Sequence, residues 1–165
     1  MTTAGEGWTG SADSPASATP TVENTSAGRG GQSSLMPCLR YRDAASAIDW
    51  LGRAFGFVPK AVYPDGAGGI AHAELTLGAG MVMLGSARDD EHGRHVGPPD
   101  PVAGRVTQAI YVVVPDADAA HVRAVACGAT AVMPPTDQPY GSRDFSCRDP
   151  EGHLWSLGTY DPWTR

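Results

Sequence analysis

Leu35-Met36-Pro37-Cys38-Leu39-Arg40-Tyr41-Arg42 reads as a strand, and Asp43 then stands where a helix N-cap belongs, ahead of Ala44 to Phe55. Within that helix Ile48, Leu51 and Phe55 recur at i, i+3 and i+7 with Ala47 and Ala54 beside them, which makes one apolar face, and Gly56 ends it. Three strand candidates follow: Val58 to Tyr63, Ile70 to Leu77 after the Pro64-Asp65-Gly66 turn, and Met81 to Gly85 after Gly78-Ala79-Gly80. The order is βαβββ.

The second half repeats that order. Val106 to Val114 is a β-branched strand, and Asp116 or Asp118 caps a helix carrying Ala119, Val122, Val125 and Ala126, which Gly128 closes. Thr130 to Met133, a Pro134-Pro135 break, Arg143 to Arg148, the Asp149-Pro150-Glu151-Gly152 turn and His153 to Tyr160 complete it. Asp43 and Asp116 lie 73 positions apart, so the repeat is one of architecture more than of sequence. The expected fold class is α+β: two βαβββ modules, 35–87 and 106–160, forming a cleft between mixed sheets, either within one chain or across a dimer.

Outside the modules the texture changes. Residues 1–34 are rich in Gly, Ser, Thr, Ala and Pro with a single aromatic, Trp8, and read as a disordered tail. The linker 88–105 is polar and proline-containing, with Asp89-Asp90-Glu91-His92-Gly93-Arg94-His95 at its start, and residues 161–165 form a short C-terminal tail. His92 and His95 would share a metal only on a helix, and Gly93 with the nearby prolines disfavours one. The linker therefore reads as solvated.

Composition narrows the function. With 41% apolar and 18% charged residues, 165 residues can build one core. A formal net charge of -6 without a Lys/Arg cluster argues against nucleic acid, whose affinity rests on basic side chains displacing counterions. No apolar run reaches the ~18 residues that cross a bilayer, and no basic region followed by an apolar stretch marks export, so no membrane partner and a cytoplasmic location are expected. Cys38, Cys127 and Cys147 are odd in number and widely spaced, fitting small apolar packing residues better than disulfides or a zinc site.

Pro37 to Phe57, Ala71-His72-Ala73-Glu74-Leu75 followed by Gly80-Met81-Val82-Met83-Leu84, Val112 to Ala120, and Tyr140-Gly141-Ser142-Arg143 with Asp149-Pro150-Glu151-Gly152-His153-Leu154-Trp155-Ser156-Leu157 together resemble the glyoxalase/bleomycin-resistance/dioxygenase (vicinal oxygen chelate) superfamily. The last segment is the most specific and is similar to the PhnB-like branch. The resemblance spans roughly 35–160. It implies the paired-module fold, a homodimer, and, in lyases and dioxygenases of the family, a divalent metal held by His or Glu on the first and last strands of each module. Aligning on the helix-capping aspartates and the Asp-Pro-x-Gly turn places those positions at Met36, Met83, Gln108 (within one residue) and Ser156. A thioether is soft, and an amide and a hydroxyl are poor donors, so neither metal nor cofactor is expected. The flanking Pro37, Val82, Leu84, Ala109, Trp155 and Leu157 are not ligands either.

What remains is a small-molecule site. On the third strand His72, Glu74 and Thr76 share one face, so His72 and Glu74 are the candidate acid–base pair, or an exposed cross-strand pair of no catalytic consequence. Met81, Met83, Gln108, Tyr111, Tyr140, Arg143, Phe145 and Ser156 are the candidate ligand-binding residues: methionine repacks around varied shapes, the aromatics offer flat area, and Arg143 offers a fixed charge unless Asp144 or Asp149 takes it. His153 belongs to its turn, and Trp50 and Trp155 to the core. The expected function is metal-independent binding of a small molecule, such as antibiotic or metabolite sequestration. The alternatives are an isomerase, lyase or cyclase using His72 and Glu74, a metalloenzyme with displaced ligands, or a domain that only mediates interaction.

Overall fold

The computed structural model describes residues 31–100 and 104–164. Most of the tail expected over 1–34 therefore lies outside the described residues, as do residues 101–103 of the linker. Ten elements follow in order: β1 (Cys38–Tyr41), α1 (Ala44–Phe55), β2 (Val58–Pro64), β3 (Ile70–Leu77), β4 (Gly80–Ser86), β5 (Ala109–Val113), α2 (Ala117–Ala126), β6 (Thr130–Asp137), β7 (Arg143–Arg148) and β8 (Leu154–Gly158). This is βαβββ twice. The first module forms a sheet of order β1-β4-β3-β2 and the second one of order β5-β8-β7-β6. In each, the first strand runs parallel to the last and the other pairings are antiparallel.

The helices start and stop for local reasons. Asp43 Oδ1 accepts from the Ser46 amide at 3.0 Å, and Asp116 Oδ1 from the Ala119 amide at 2.9 Å, each satisfying a donor of the first turn. Asp116, not Asp118, is the second cap. Gly56 ends α1 in the left-handed region at φ 85°, where a Cβ would be strained.

Two expectations change. β6 runs through Pro134-Pro135, where a break was expected; it is an edge strand, which tolerates the missing amide donors, and its register with β7 shifts at that point. In α2 the buried stripe is Ala117, Ala120 and Ala124, whereas Val122 and Val125 are exposed. Small side chains let this helix lie close to α1 and to its own sheet, so the larger apolar residues misidentify the inner face.

The core is one continuous cluster shared by both modules, with Leu39, Tyr41, Leu51, Leu75, Phe145, Cys147, Trp155 and Leu157 at its centre. The modules meet through their helix-covered sides. α1 packs on α2, and the Phe55 and Phe57 rings lie 5.2 and 5.9 Å from the Trp155 ring. Trp50 Nε1 donates to Cys127 O at 2.8 Å, and Arg123 Nε to Ala54 O at 2.9 Å.

The Asp149-Pro150-Glu151-Gly152 turn does more than reverse the chain. Buried Asp149 accepts from Tyr41 OH at 2.8 Å and Trp155 Nε1 at 3.1 Å through Oδ2, and from the Glu151 and His153 amides at 3.0 Å through Oδ1. Burial beside this carboxylate pushes the Tyr41 phenol well above its ordinary range. Glu151 meanwhile accepts from the Arg42 and Asp43 amides at 2.6 and 2.7 Å, at the entry to α1. His153 Nε2 lies 2.9 Å from Arg40 O, and its ring packs on Tyr41. The turn thus pins module two onto the β1–α1 junction of module one.

Near the termini of the modules, the Ser33 amide donates to Ala79 O at 3.0 Å. In the linker, residues 90–96 form a hydrogen-bonded turn in which Gly93 N donates to Asp90 Oδ1 at 2.7 Å. The Arg42 guanidinium reaches Pro99 O at 2.7 Å and that of Arg148 reaches Gly104 O at 2.6 Å. Among the described residues no helix is long and apolar enough to cross a membrane. Cys147 is buried and Cys127 half-buried, but Cys38 is exposed, contrary to its expected packing role.

Candidate functional site

Strand alternation gives each sheet two faces, one under its helix and one bare. On sheet 1 the covered face holds Leu39, Tyr41, Ala73, Leu75, Val82 and Leu84, so the bare face carries Cys38 and Arg40 from β1, Met81 and Met83 from β4, and His72, Glu74 and Thr76 from β3. On sheet 2 Val112, Phe145, Cys147, Trp155 and Leu157 are covered, leaving Tyr111, Ser146, Leu154, Ser156 and Asp144 on the bare face. Among the described residues no strand of one sheet lies against a strand of the other. Among the described residues the two bare faces are therefore not closed over each other.

The registers of the modules correspond. Cys38 pairs with Met83 across β1 and β4, and Tyr111 with Ser156 across β5 and β8, the same 73-position offset that separates the capping aspartates. Glu74 pairs with Met83, and Ser146 with Ser156. By this register the counterpart of Met36 is Ala109. Gln108 precedes β5, is exposed, and has the parity of the covered residues Ile110 and Val112, so it does not face the bare side.

On sheet 1 the structure brings His72 and Glu74 together, with His72 Nε2 and Glu74 Oε1 3.6 Å apart. Sequence reading missed two companions: Lys60, whose ammonium lies 3.0 Å from Glu74 Oε2, and Tyr63, whose ring stacks on His72 at 6.1 Å. Hydrogen bonding and attraction from Lys60, helped by His72, hold the Glu74 carboxyl below the usual range, which weakens it as a proton acceptor. Met81 and Met83 lie half-buried beside this group.

On sheet 2 Ser146 and Ser156 share a hydrogen bond of 2.9 Å at the centre of the face. Towards the end of β8, Tyr111, Tyr140 and Tyr160 gather over Asp144. Asp144 accepts from Tyr140 OH at 2.6 Å and from Ser142 Oγ. Gly158 is required here, because a Cβ would collide with the Asp144 carboxylate and the Tyr111 hydroxyl. The hydrogen bond to Asp144 pushes the Tyr140 phenol up to about 12, and burial raises that of Tyr111. Asp144 alternates with Phe145 along β7, so a period-two reading of that strand could have found it; Tyr160 lies at the boundary of the second module and carried no such signal.

Besides Gln108, which lies off the bare face, two candidates are corrected. Phe145 is fully covered, on the helix side, with its ring 5.2 Å from His121, because β7 turns Asp144 and Ser146 rather than Phe145 to the bare face. Arg143 shares the parity of Phe145 and is bound to Asp118 and Asp137 rather than to Asp144 or Asp149. Bonds to these two carboxylates raise its guanidinium further.

The donor set does not suit a transition metal. Of the four inherited positions, Met83 is a thioether, Ser156 is tied to Ser146, Gln108 lies off the face and Met36 is a second thioether. Among the described residues no three His, Cys, Asp or Glu side chains gather where they could share an ion.

Two βαβββ modules with matched registers and bare sheet faces define a class of cleft-building α+β proteins. The chain belongs to the Glyoxalase/Bleomycin resistance protein/Dioxygenase superfamily, whose model matches residues 33–157. An uncharacterized protein of Mycobacterium bovis is 38% identical over 124 residues, 75% of this chain and 81% of its own. The crystal structure of TioX from Micromonospora sp. ML1 is 35% identical and superposes with a TM-score of 0.60 over 76% of this chain and 97% of its own. The fosfomycin resistance protein FosX from Mesorhizobium loti, at 18% identity, has the same fold, with a TM-score of 0.55 over 79% of this chain and 94% of its own.

Proposed function

We propose that this chain is a metal-independent small-molecule-binding protein of the PhnB-like branch, sequestering an antibiotic or metabolite in a cleft that a second copy of the chain completes. The observation that carries the reading is the chemistry at Met36, Met83, Gln108 and Ser156: thioethers, an amide and a hydroxyl stand at the positions where the resemblance to metalloenzymes of this superfamily implies imidazoles and carboxylates.

The dimer follows from the bare faces. Each carries large apolar groups in the open, Tyr63 and Val58 on β2 and Tyr111 and Val113 on β5, and the modules' covered sides are already spent on each other. A second copy turned about a two-fold axis offers module two's face to module one's, and the reverse, so both are covered at once. In that cleft Met81 and Met83 provide adaptable apolar wall, Ser156, Tyr111 and His72 polar contacts, and Glu74 a charged anchor rather than a proton acceptor. Free cysteines, one of them exposed, suit the reducing cytoplasm.

Titration calorimetry of the purified dimer against a panel of planar glycopeptide and polyketide drugs tests the reading. Saturable binding at one ligand per composite cleft, with no turnover of the ligand, is the expected result. A monomer in sedimentation equilibrium together with no binding across the panel overturns it.

A further inference from the structure

Arg40 reaches from β1 across the bare face of sheet 1 and lies over Gly85, its register partner on β4. Gly85 is buried, and glycine is what the position allows: a Cβ there would stand 2.5 Å from Arg40 Nη1 and 2.9 Å from Ala71 O. The absent side chain leaves a shallow bed in which the guanidinium comes down onto the sheet, half-buried. Beside this bed Met83 pairs with Cys38, and Met81 lies further along the same face of β4.

Among the described residues this guanidinium makes no hydrogen bond and no ion pair. The charged side chains that act on it are Arg88, which repels it, and Asp90, which attracts it from beyond ion-pair distance. Asp90 is already engaged, by Arg88 Nε at 3.3 Å and by the Gly93 amide at 2.7 Å. Glu74, the carboxylate of this face, stands on β3, two strands from β1, and is held by Lys60 at 3.0 Å. Burial, and then Arg88, lower the Arg40 pKa from its ordinary value, as happens to a cation that no neighbour answers. Five N–H donors in a rigid fork, drawn partly out of water and left unmatched, are unfavourable until an oxyanion meets them.

From this arrangement we infer that the bed over Gly85 is an anion subsite of the cleft, where Arg40 grips the carboxylate or phosphate group of a small organic molecule whose apolar body lies on Met81 and Met83. The inference rests on the small-molecule-binding reading and deepens it by naming the ligand's charge and the way it lies. A guanidinium fork meets two oxygens of a carboxylate or phosphate at once, and thioether side chains repack around the body attached to it. Arg88 adds attraction from the segment after β4, whereas the Glu74 carboxylate repels an anion placed towards β3. The oxyanion is thereby confined to the β1 side of the face.

The test compares 2-naphthoate and 2-naphthyl phosphate with 2-naphthamide, an uncharged analogue of the same shape, by NMR titration of the intact protein. At least one of the two anions is expected to shift the Arg40 Nε–H and Met83 methyl resonances saturably and to bind at least about tenfold more tightly than the amide. The tighter anion names the oxyanion. Arg40→Met should weaken that anion about tenfold and leave the amide unchanged. If that variant does not fold, Arg40→Lys, which keeps the charge and loses the fork, carries the test and should weaken the anion about threefold. Equal binding of anions and amide, shifts confined to other residues, or variants that bind the anion normally overturn the inference. So does an Arg40→Met variant that separates the dimer while the anions show no preference, since the guanidinium then serves the second copy. Binding of an uncharged drug without any preference for the anions refutes the subsite alone, whereas anion binding without any drug binding supports the subsite and counts against sequestration of those drugs.

Discussion

On sheet 1 the paired positions hold Cys38, Met83 and Glu74, with Lys60 and His72 around the carboxylate; on sheet 2 the same register holds Tyr111, Ser156 and Ser146, with Asp144 and two more tyrosines nearby. One face is apolar sulfur beside charge, the other hydroxyl beside aromatic rings. The two sheets share strand order and pairing directions while their side chains differ. A site shared between such faces grips different parts of a ligand with different groups, which suits recognition of an asymmetric molecule rather than symmetric ligation of an ion. The helices differ as well: α1 buries Trp50, Leu51 and Phe55, and α2 only alanines.

The sharpest way to break the comparison is to separate the modules. Asp149→Ala leaves the Tyr41 hydroxyl and the Trp155 indole without their acceptor in the shared core and should lower unfolding free energy by about 3 kcal/mol or more in urea titration. A loss under about 1 kcal/mol would show that the turn is not what joins them. Next, Leu51→Ala should cost about 3 kcal/mol, and Val122→Ala less than about 0.5, since one is fully buried and the other is 67% exposed. Comparable losses would contradict the asymmetry of the helices. Smaller still, Arg143→Met should leave the unfolding midpoint and the ligand affinity close to unchanged, because its partners Asp118 and Asp137 are exposed and their pairing is screened by solvent.

The smallest effect is spectroscopic. Tyr140, held up to about 12 by Asp144, should ionise later than an ordinary phenol in ultraviolet titration, and Asp144→Asn should bring it back towards about 10. A phenol whose folded pKa is raised adds stability that is fully present below the unfolded value of about 10 and is lost as pH rises through about 12.

The elements that sequence revealed best are those whose period and punctuation agree. α1 and β3 lie within their expected bounds because a capping aspartate, an apolar stripe and a glycine, or strict alternation between two turns, leave one solution. α2 hid its inner face because close helix packing selects alanine over valine, and β6 hid its length because an edge strand accepts proline. At the site, alternation along β8 placed Ser156 correctly opposite Trp155 and Leu157, while Phe145 was misplaced because aromatic character was weighed above the parity of β7. Tyr160 and Lys60 reach the site from outside the segments that carried motifs, and only the folded chain brings them there.

The central claim, small-molecule binding without a metal, is tested most directly by measuring ligand affinity and metal content on one preparation, purified without chelator and then dialysed against EDTA. The account predicts less than stoichiometric transition metal at the outset and the same affinity before and after dialysis. A stoichiometric metal whose removal abolishes binding would contradict it.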